Sequence, residues 1–193
     1  MDQWYARIAV IVASIALIAI RAPHGQRSRA VPTKTNAKGA LENTLLALAM
    51  IAFCLPLVWV VSLWPVAANY PLAPAAYWSG VIVLVASLWL FARSHADLGT
   101  NWSITLEVRE AHQLVTSGVY RTLRHPMYTA LLLYSLGFAL VLPNWVAGPA
   151  YLVSMLLLVG FRLRPEEDLM RAEFGAEYDD YARRSKRLIP GVW

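Results

Sequence analysis

The chain has 193 residues, of which 58% are hydrophobic and only 15% charged, and it contains eight Trp. A mean hydropathy of +0.47 is typical of a membrane protein rather than a soluble one. The net charge is +5, but the basic residues are spread over loops between apolar stretches, which argues against a nucleic-acid partner. One cysteine, Cys54, excludes an internal disulfide framework and a Cys-x-x-Cys metal site.

A first membrane span is predicted at residues 4–20, which are apolar apart from Arg7. This stretch is about long enough to cross the hydrocarbon, and a cleaved signal peptide is the competing interpretation. Arg21 and Pro23 follow the apolar run where a small-residue cleavage site would lie, so a retained span is favoured.

The next apolar region, residues 43–92, contains no charged side chain and is long enough for two spans. Several prolines between residues 65 and 74 divide it. The sequence therefore predicts a second span at 41–64 and a third at 76–92.

The longest charged interruption follows at residues 93–125, in which the β-branched stretch 104–108 predicts a small extended hairpin. Two more spans are predicted at 127–142 and 146–161, and the short turn between them requires antiparallel, adjacent helices. Beyond them the sequence is soluble in character, and Pro165 predicts the start of a separate helix.

All Lys and Arg residues except Arg7 lie in segments 21–40, 93–124 and 162–187. With five spans these segments share one side of the membrane, which the positive-inside rule assigns to the cytoplasm. The fold class is therefore predicted as an all-α integral membrane protein of about five transmembrane helices. A cytosolic connecting segment and a C-terminal helical tail complete one domain at 1–193, with the amino terminus outside and the carboxyl terminus cytosolic. For a bacterial protein this means the inner membrane.

Polar side chains collect where the fourth predicted span begins and the fifth ends. Pro126 suits the first turn of a helix, whose unpaired N–H groups favour an anionic ligand. Such a cluster could hold a water-soluble cofactor while an apolar substrate arrives from the bilayer. The competing interpretation is an ordinary membrane boundary, with Arg162 snorkelling and Glu166 as a helix-start acid. No Gly-x-Gly motif supports a nucleotide site, and the histidines lack a ligand spacing, so no metal is expected.

The second half of the chain carries three motifs in a fixed order. They are Val115-Thr116-Ser117-Gly118-Val119-Tyr120, Arg124-His125-Pro126-Met127-Tyr128, and Glu166-Glu167 followed by Phe174-Gly175 and Tyr178. As a set, over residues 98–190, they resemble the isoprenylcysteine carboxyl methyltransferase family.

This resemblance implies an S-adenosyl-L-methionine-dependent methyltransferase that acts on the carboxylate of a lipophilic, S-prenylcysteine-type acceptor. It implies that Arg162 is the catalytic and substrate-binding residue, and that the cofactor is bound by a second set of residues. This set is His112, Gln113, Leu114, Val115, Tyr120, His125, Pro126, Met127, Tyr128 and Glu166. A carboxylate acceptor is already ionised at neutral pH, so the reaction requires no general base.

Three alternatives remain open at this stage. A phospholipid or other small-lipid methyltransferase would share the cofactor, but its amine acceptor must lose a proton to a base. An NADPH-dependent enzyme similar to sterol reductases and a non-catalytic membrane protein on the same scaffold are the other two. The sequence predicts membrane lipids as neighbours and leaves the oligomeric state open.

Overall fold

The computed structural model describes residues 1–29, 33–36, 39–99, 107–109 and 113–191, which contain six α-helices and two short strands. In chain order they are α1 (Gln3–Arg29), β1 (Thr33–Asn36), α2 (Ala40–Ser62), α3 (Pro74–Leu98), β2 (Glu107–Arg109), α4 (Pro126–Val141), α5 (Ala147–Phe174) and α6 (Ala176–Arg184). Four of the helices are long and apolar enough to cross a membrane: α2, α3, α5 and the first 22 residues of α1. With the shorter apolar helix α4, they confirm the predicted helical membrane fold.

The helices form a closed ring. α3 packs against α4, α4 against α5, α5 against α2, and α1 lies between α2 and α3. α3 and α4 approach each other closely, since a Cβ on Gly80 would lie 2.7 Å from Val141 Cγ1 and one on Gly137 would lie 2.6 Å from Leu84 Cγ. Small residues at a helix crossing allow two backbones to approach, which is the usual way that membrane helices pack.

The loops at one end of the bundle are joined by two asparagines. The Asn144 amide donates hydrogen bonds to Asn69 Oδ1 at 2.7 Å and to the Pro65 carbonyl at 2.9 Å, and Trp59 Nε1 also donates to Asn69 Oδ1. The amino-terminal amine donates to the Leu72 carbonyl at 3.0 Å, so the amino terminus lies at this same end.

The opposite end carries β1 and β2, which pair antiparallel and so connect the α1–α2 loop to the α3–α4 loop. The sequence predicted a small extended hairpin at residues 104–108, and its described residues 107 and 108 are extended but do not pair with a neighbouring segment. The strand that begins at Glu107 pairs with a segment more than 70 positions earlier, because alternate loops of a helical bundle meet at one end.

The second difference concerns Pro165, which was predicted to start a new helix. Instead α5 continues through Pro165 to Phe174. A proline cannot donate to the carbonyl four residues earlier, and its ring crowds that carbonyl. Both Pro165 and Phe161 are exposed at the surface of the bundle, where this disturbance is tolerated. The break comes at Gly175, whose φ of 53° ends α5 and precedes α6.

Candidate active site

The start of α4 and the second half of α5 meet at the end of the bundle that carries β1 and β2. His125 occupies the N-cap position of α4, Pro126 is its first residue, and Tyr128 follows within the first turn. Because α5 is continuous through Pro165, Arg162 and Glu166 lie one turn apart on the same side of one helix. His125 and Arg162 are buried, with 6% and 8% of their surface exposed.

Glu166 is the centre of a first group of contacts. Its carboxylate accepts a hydrogen bond from the Tyr128 hydroxyl, and its Oε2 lies 3.6 Å from Arg162 Nε. Its other oxygen lies 3.5 Å from His125 Nδ1. The His125 and Tyr128 rings stack with centroids 5.6 Å apart, and the Arg162 guanidinium lies 5.9 Å from the Tyr128 ring centroid. These four side chains are called the Glu166 cluster below.

The adjacent carboxylate, Glu167, belongs to a different set of contacts. It is 1% exposed and accepts hydrogen bonds from Arg124 Nε at 2.9 Å and from Arg187 Nη2 at 2.8 Å. Arg124 also donates to the carbonyls of Ala182 and Ser185. Glu167 therefore fastens the C-terminal segment to α5 and to the start of α4.

The protonation of His125 follows from its position between the two carboxylates. Burial alone lowers the pKa of the imidazole, but contacts with Glu166 and Glu167 outweigh burial and raise the pKa above its ordinary value. The two carboxylates therefore favour the cationic form of His125 more than water favours that of a free imidazole.

The segment before α4 is attached to α3 and α6. It forms a 3-10 turn at Gly118–Arg121, where the Val119 N–H donates to Asp97 Oδ2 at 2.9 Å. The Tyr181 hydroxyl donates to the Tyr120 carbonyl at 2.7 Å. Tyr120, one of the predicted cofactor residues, is buried in this turn with 6% of its surface exposed.

The structure brings four of the predicted site residues into contact, namely His125, Tyr128, Arg162 and Glu166. Of the remaining ones, Met127 packs against the apolar core. Leu114 and Val115 are half-buried in the irregular stretch before the 3-10 turn, where Gln113 is exposed. His112 lies outside the described residues.

Sequence reasoning did not single out Glu42 or Asp97, and it placed Arg187 at the end of the family motifs without giving it a role. Glu42 is in the first turn of α2, is 7% exposed, and places Oε1 3.6 Å from Arg162 Nη1. It is the sole charged residue of α2, and an ionisable side chain at the start of a long apolar run needs a partner. That pattern was the available signal, but the sequence does not show which helix supplies the partner.

The fold and the site together define a polytopic helical membrane protein with a buried charge cluster between two neighbouring helices at one membrane face. Residues 75–177, more than half of the chain, match the model of the phospholipid methyltransferase family. The chain therefore belongs to the phospholipid methyltransferase family.

Similar proteins confirm the resemblance predicted from the motifs. Protein-S-isoprenylcysteine O-methyltransferase B of Arabidopsis thaliana is 33% identical over 96 residues, which is 49% of this chain and 49% of the relative. Protein-S-isoprenylcysteine O-methyltransferase of Rattus norvegicus is 30% identical over 156 residues, 79% of this chain and 52% of the relative.

A solved structure is also similar to most of this chain. The eukaryotic intramembrane Ras methyltransferase, isoprenylcysteine carboxyl methyltransferase, superposes with a TM-score of 0.55 at 24% identity. The match covers 77% of this chain and 50% of that protein, and it shows a shared fold. The chain spans about half the length of the relatives it matches.

Proposed function

We propose that this protein transfers a methyl group from S-adenosyl-L-methionine to the carboxylate of a lipophilic acceptor of the S-prenylcysteine type. The names of its relatives support this assignment. The observation that carries it is Arg162, a guanidinium with 8% exposure at the end of an apolar helix pair. A planar cation in such a place suits a carboxylate, which it can hold by charge-assisted hydrogen bonds.

The Glu166 cluster fits S-adenosyl-L-methionine, a ligand that carries an ammonium, a carboxylate, hydroxyls and a sulfonium. Glu166, whose side chain is 28% exposed, offers an acceptor, His125 offers a ring N–H donor, and the face of Tyr128 suits a cation. We assign cofactor binding to the ten residues His112, Gln113, Leu114, Val115, Tyr120, His125, Pro126, Met127, Tyr128 and Glu166. When bound, the cofactor supplies a methyl group activated by a positively charged sulfur.

The protein's own contribution to the reaction is to position the acceptor and exclude water. Arg162 fixes the acceptor carboxylate, while Glu166 and Tyr128 fix the orientation of Arg162. Attack by an already ionised oxygen on a methyl carbon needs no general base, so orientation in a dry site accounts for most of the catalysis. The apolar helix faces provide the dry surroundings and a path for a lipid-like tail.

The proposed site lies at the cytosolic face, with the amino terminus outside and the carboxyl terminus inside. Support comes from the basic segments 21–40, 93–124 and 162–187. The amino terminus lies at the other end of the bundle, beside the loop that contains Leu72.

A phospholipid or small-lipid amine is the second candidate acceptor. Two carboxylates, Glu42 and Glu166, lie 3.6 Å from the Arg162 guanidinium and would attract an ammonium group. Either could accept the proton that an amine must lose before it attacks. The family model itself takes its name from phospholipid methylation.

The purified protein in detergent separates these possibilities. We expect calorimetry to show binding of S-adenosyl-L-methionine and no binding of NADPH. With methyl-labelled cofactor, an S-prenylcysteine acid should become labelled, and mild base should release the label because the product is an ester. If phosphatidylethanolamine is labelled instead and the label is stable to base, the methyl acceptor is an amine and not a carboxylate. Binding of NADPH alone would contradict the proposal.

Two substitutions test the division of roles within the cluster. Glu166→Gln should raise the dissociation constant of S-adenosyl-L-methionine about tenfold, the effect of a weakened buried hydrogen bond. Arg162→Lys should leave that constant nearly unchanged and lower turnover of the acid, because lysine keeps the charge and loses the planar fork. Arg164→Lys, an exposed neighbour, is the control. If both variants change only thermal stability, Arg162 and Glu166 form a structural pair.

A further inference from the structure

Glu42 reaches the Glu166 cluster from a helix that contributes no other charged side chain. It lies in the first turn of α2, which packs against α5, and it is 7% exposed. Its Oε1 is 3.6 Å from Arg162 Nη1. The cost of burying a carboxylate is offset here by a guanidinium that is equally buried.

The two acids approach different edges of the same guanidinium. Glu166 lies by Nε, and Glu42 lies by the terminal nitrogen Nη1. Glu166 is held in place by Tyr128 and His125 on α4, whereas Glu42 comes from α2. Both distances are 3.6 Å, which is longer than the roughly 2.7 to 2.9 Å of a charge-assisted hydrogen bond. The terminal edge of Arg162 therefore faces a carboxylate of the protein itself.

We infer that Glu42 sets an affinity threshold for carboxylate acceptors, because its carboxylate occupies the edge of Arg162 that an acceptor carboxylate has to bind. This inference rests on the proposed function. An arriving acid must displace Glu42, and the two like charges then repel each other in a poorly screened environment. An acceptor with a long apolar tail can offset this cost by burying the tail between helices. A short soluble acid cannot, so Glu42 excludes the abundant small carboxylates of the cytosol.

The test uses two acids that share a head group: N-acetyl-S-farnesylcysteine and N-acetyl-S-methylcysteine. In Glu42→Gln, which keeps the shape and removes the charge, the dissociation constants of both acids should fall about tenfold. The KM for the farnesyl acid should fall with them, while the affinity for S-adenosyl-L-methionine stays the same. Glu177→Gln, which removes an exposed acid of α6, is the matched control and should change none of these values.

An unchanged or higher dissociation constant for the acids in folded Glu42→Gln would overturn the inference and make Glu42 a structural partner of Arg162. If that variant does not fold, Glu42→Asp can be used, because it moves the charge away from Arg162 by one methylene. The dissociation constants of the two acids should then fall by less than tenfold. Dissociation constants equal to or higher than those of the wild type would overturn the inference as well. If the wild-type protein binds cofactor but neither acid binds to the wild type or to Glu42→Gln, the carboxylate acceptor itself is wrong. If the wild type methylates the farnesyl acid and the variants show no fall, only the role of Glu42 is wrong.

Discussion

His125 has each ring nitrogen 3.5 Å from a carboxylate oxygen, Nδ1 from Glu166 and Nε2 from Glu167. Burial lowers the pKa of this histidine, but the two acids raise it further than burial lowers it. The folded-state pKa therefore exceeds the unfolded value of about 6.5. Stabilisation by the protonated ring is complete below about pH 6.5 and is lost as the pH rises through the folded-state pKa.

The prediction is that the thermal midpoint of the purified protein falls as the pH is raised above about 6.5. His125→Gln should remove this part of the pH dependence, since glutamine keeps hydrogen-bonding capacity and does not titrate. Thermal unfolding in detergent between pH 5.5 and 9 measures how the midpoint changes with pH in the wild type and in His125→Gln. If the midpoint of His125→Gln falls as steeply as that of the wild type, another titrating group causes the pH dependence.

Glu166 and Glu167 are neighbours in sequence with different expected roles. Glu167 is fully enclosed and paired with Arg124 and Arg187, so Glu167→Gln leaves two cations without their shared carboxylate. We expect this change to lower the free energy of unfolding by about 3 kcal/mol. Asp168→Asn, at an exposed position, is the control and should cost well under 1 kcal/mol. If Glu167→Gln is as stable as the wild type but binds the cofactor more weakly, then Glu167 and not Glu166 is the acid that binds the cofactor.

At the scale of single elements, the 3-10 turn before α4 depends on one glycine. Gly118 has a φ of 59°, and a Cβ there would overlap the Asp97 carboxylate that accepts the Val119 N–H. Gly118→Ala therefore costs about 1 kcal/mol, because alanine is strained in the left-handed backbone region. The substitution also displaces the Asp97 carboxylate.

Because this turn contains Tyr120 and leads to His125, we expect Gly118→Ala to raise the dissociation constant of S-adenosyl-L-methionine about fivefold. Asp97→Asn should weaken binding in the same direction. Gly160→Ala, at a position where a Cβ meets nothing within 4 Å, is the control for calorimetry. Full affinity in Gly118→Ala would mean that the turn is not part of the cofactor site.

The elements differ in how much of them the sequence could predict. Helices such as α2 and α3 were predictable because hydropathy and span length are local properties. The continuation of α5 through Pro165 was not, because whether a lost backbone hydrogen bond is tolerated depends on exposure in the folded bundle. The pairing of β1 with β2 joins two loops that are distant in sequence, so neither segment alone indicates its partner.

The candidate site shows the same limit. The resemblance pointed to His125, Tyr128, Arg162 and Glu166, and the structure brings these four side chains into one cluster. Glu42 had no motif around it. Its proximity to Arg162 follows from the packing of α2 on α5, which hydropathy does not specify.

The orientation of the bundle in the membrane can be tested with a reporter fusion. A reporter active only in the cytoplasm should give signal when fused after residue 193 and none when inserted beside Asn69. The reason is the confinement of Lys and Arg, apart from Arg7, to segments that alternate with the Asn69 and Asn144 loops. The reverse pattern would place the Glu166 cluster on the side without cytosolic cofactor.

The contact between Arg187 and Glu167 joins two residues that are made at different times during synthesis. Segment 122–125 is held in parallel beside the tail through Leu123 and Lys186, and the Arg124 and His125 N–H groups donate to the carbonyls of Lys186 and Arg187. All five apolar helices have left the ribosome before this tail does. Glu167 therefore emerges from the ribosome before Arg187 does, and the ion pair that joins the tail to α5 can form only after the five apolar helices have emerged.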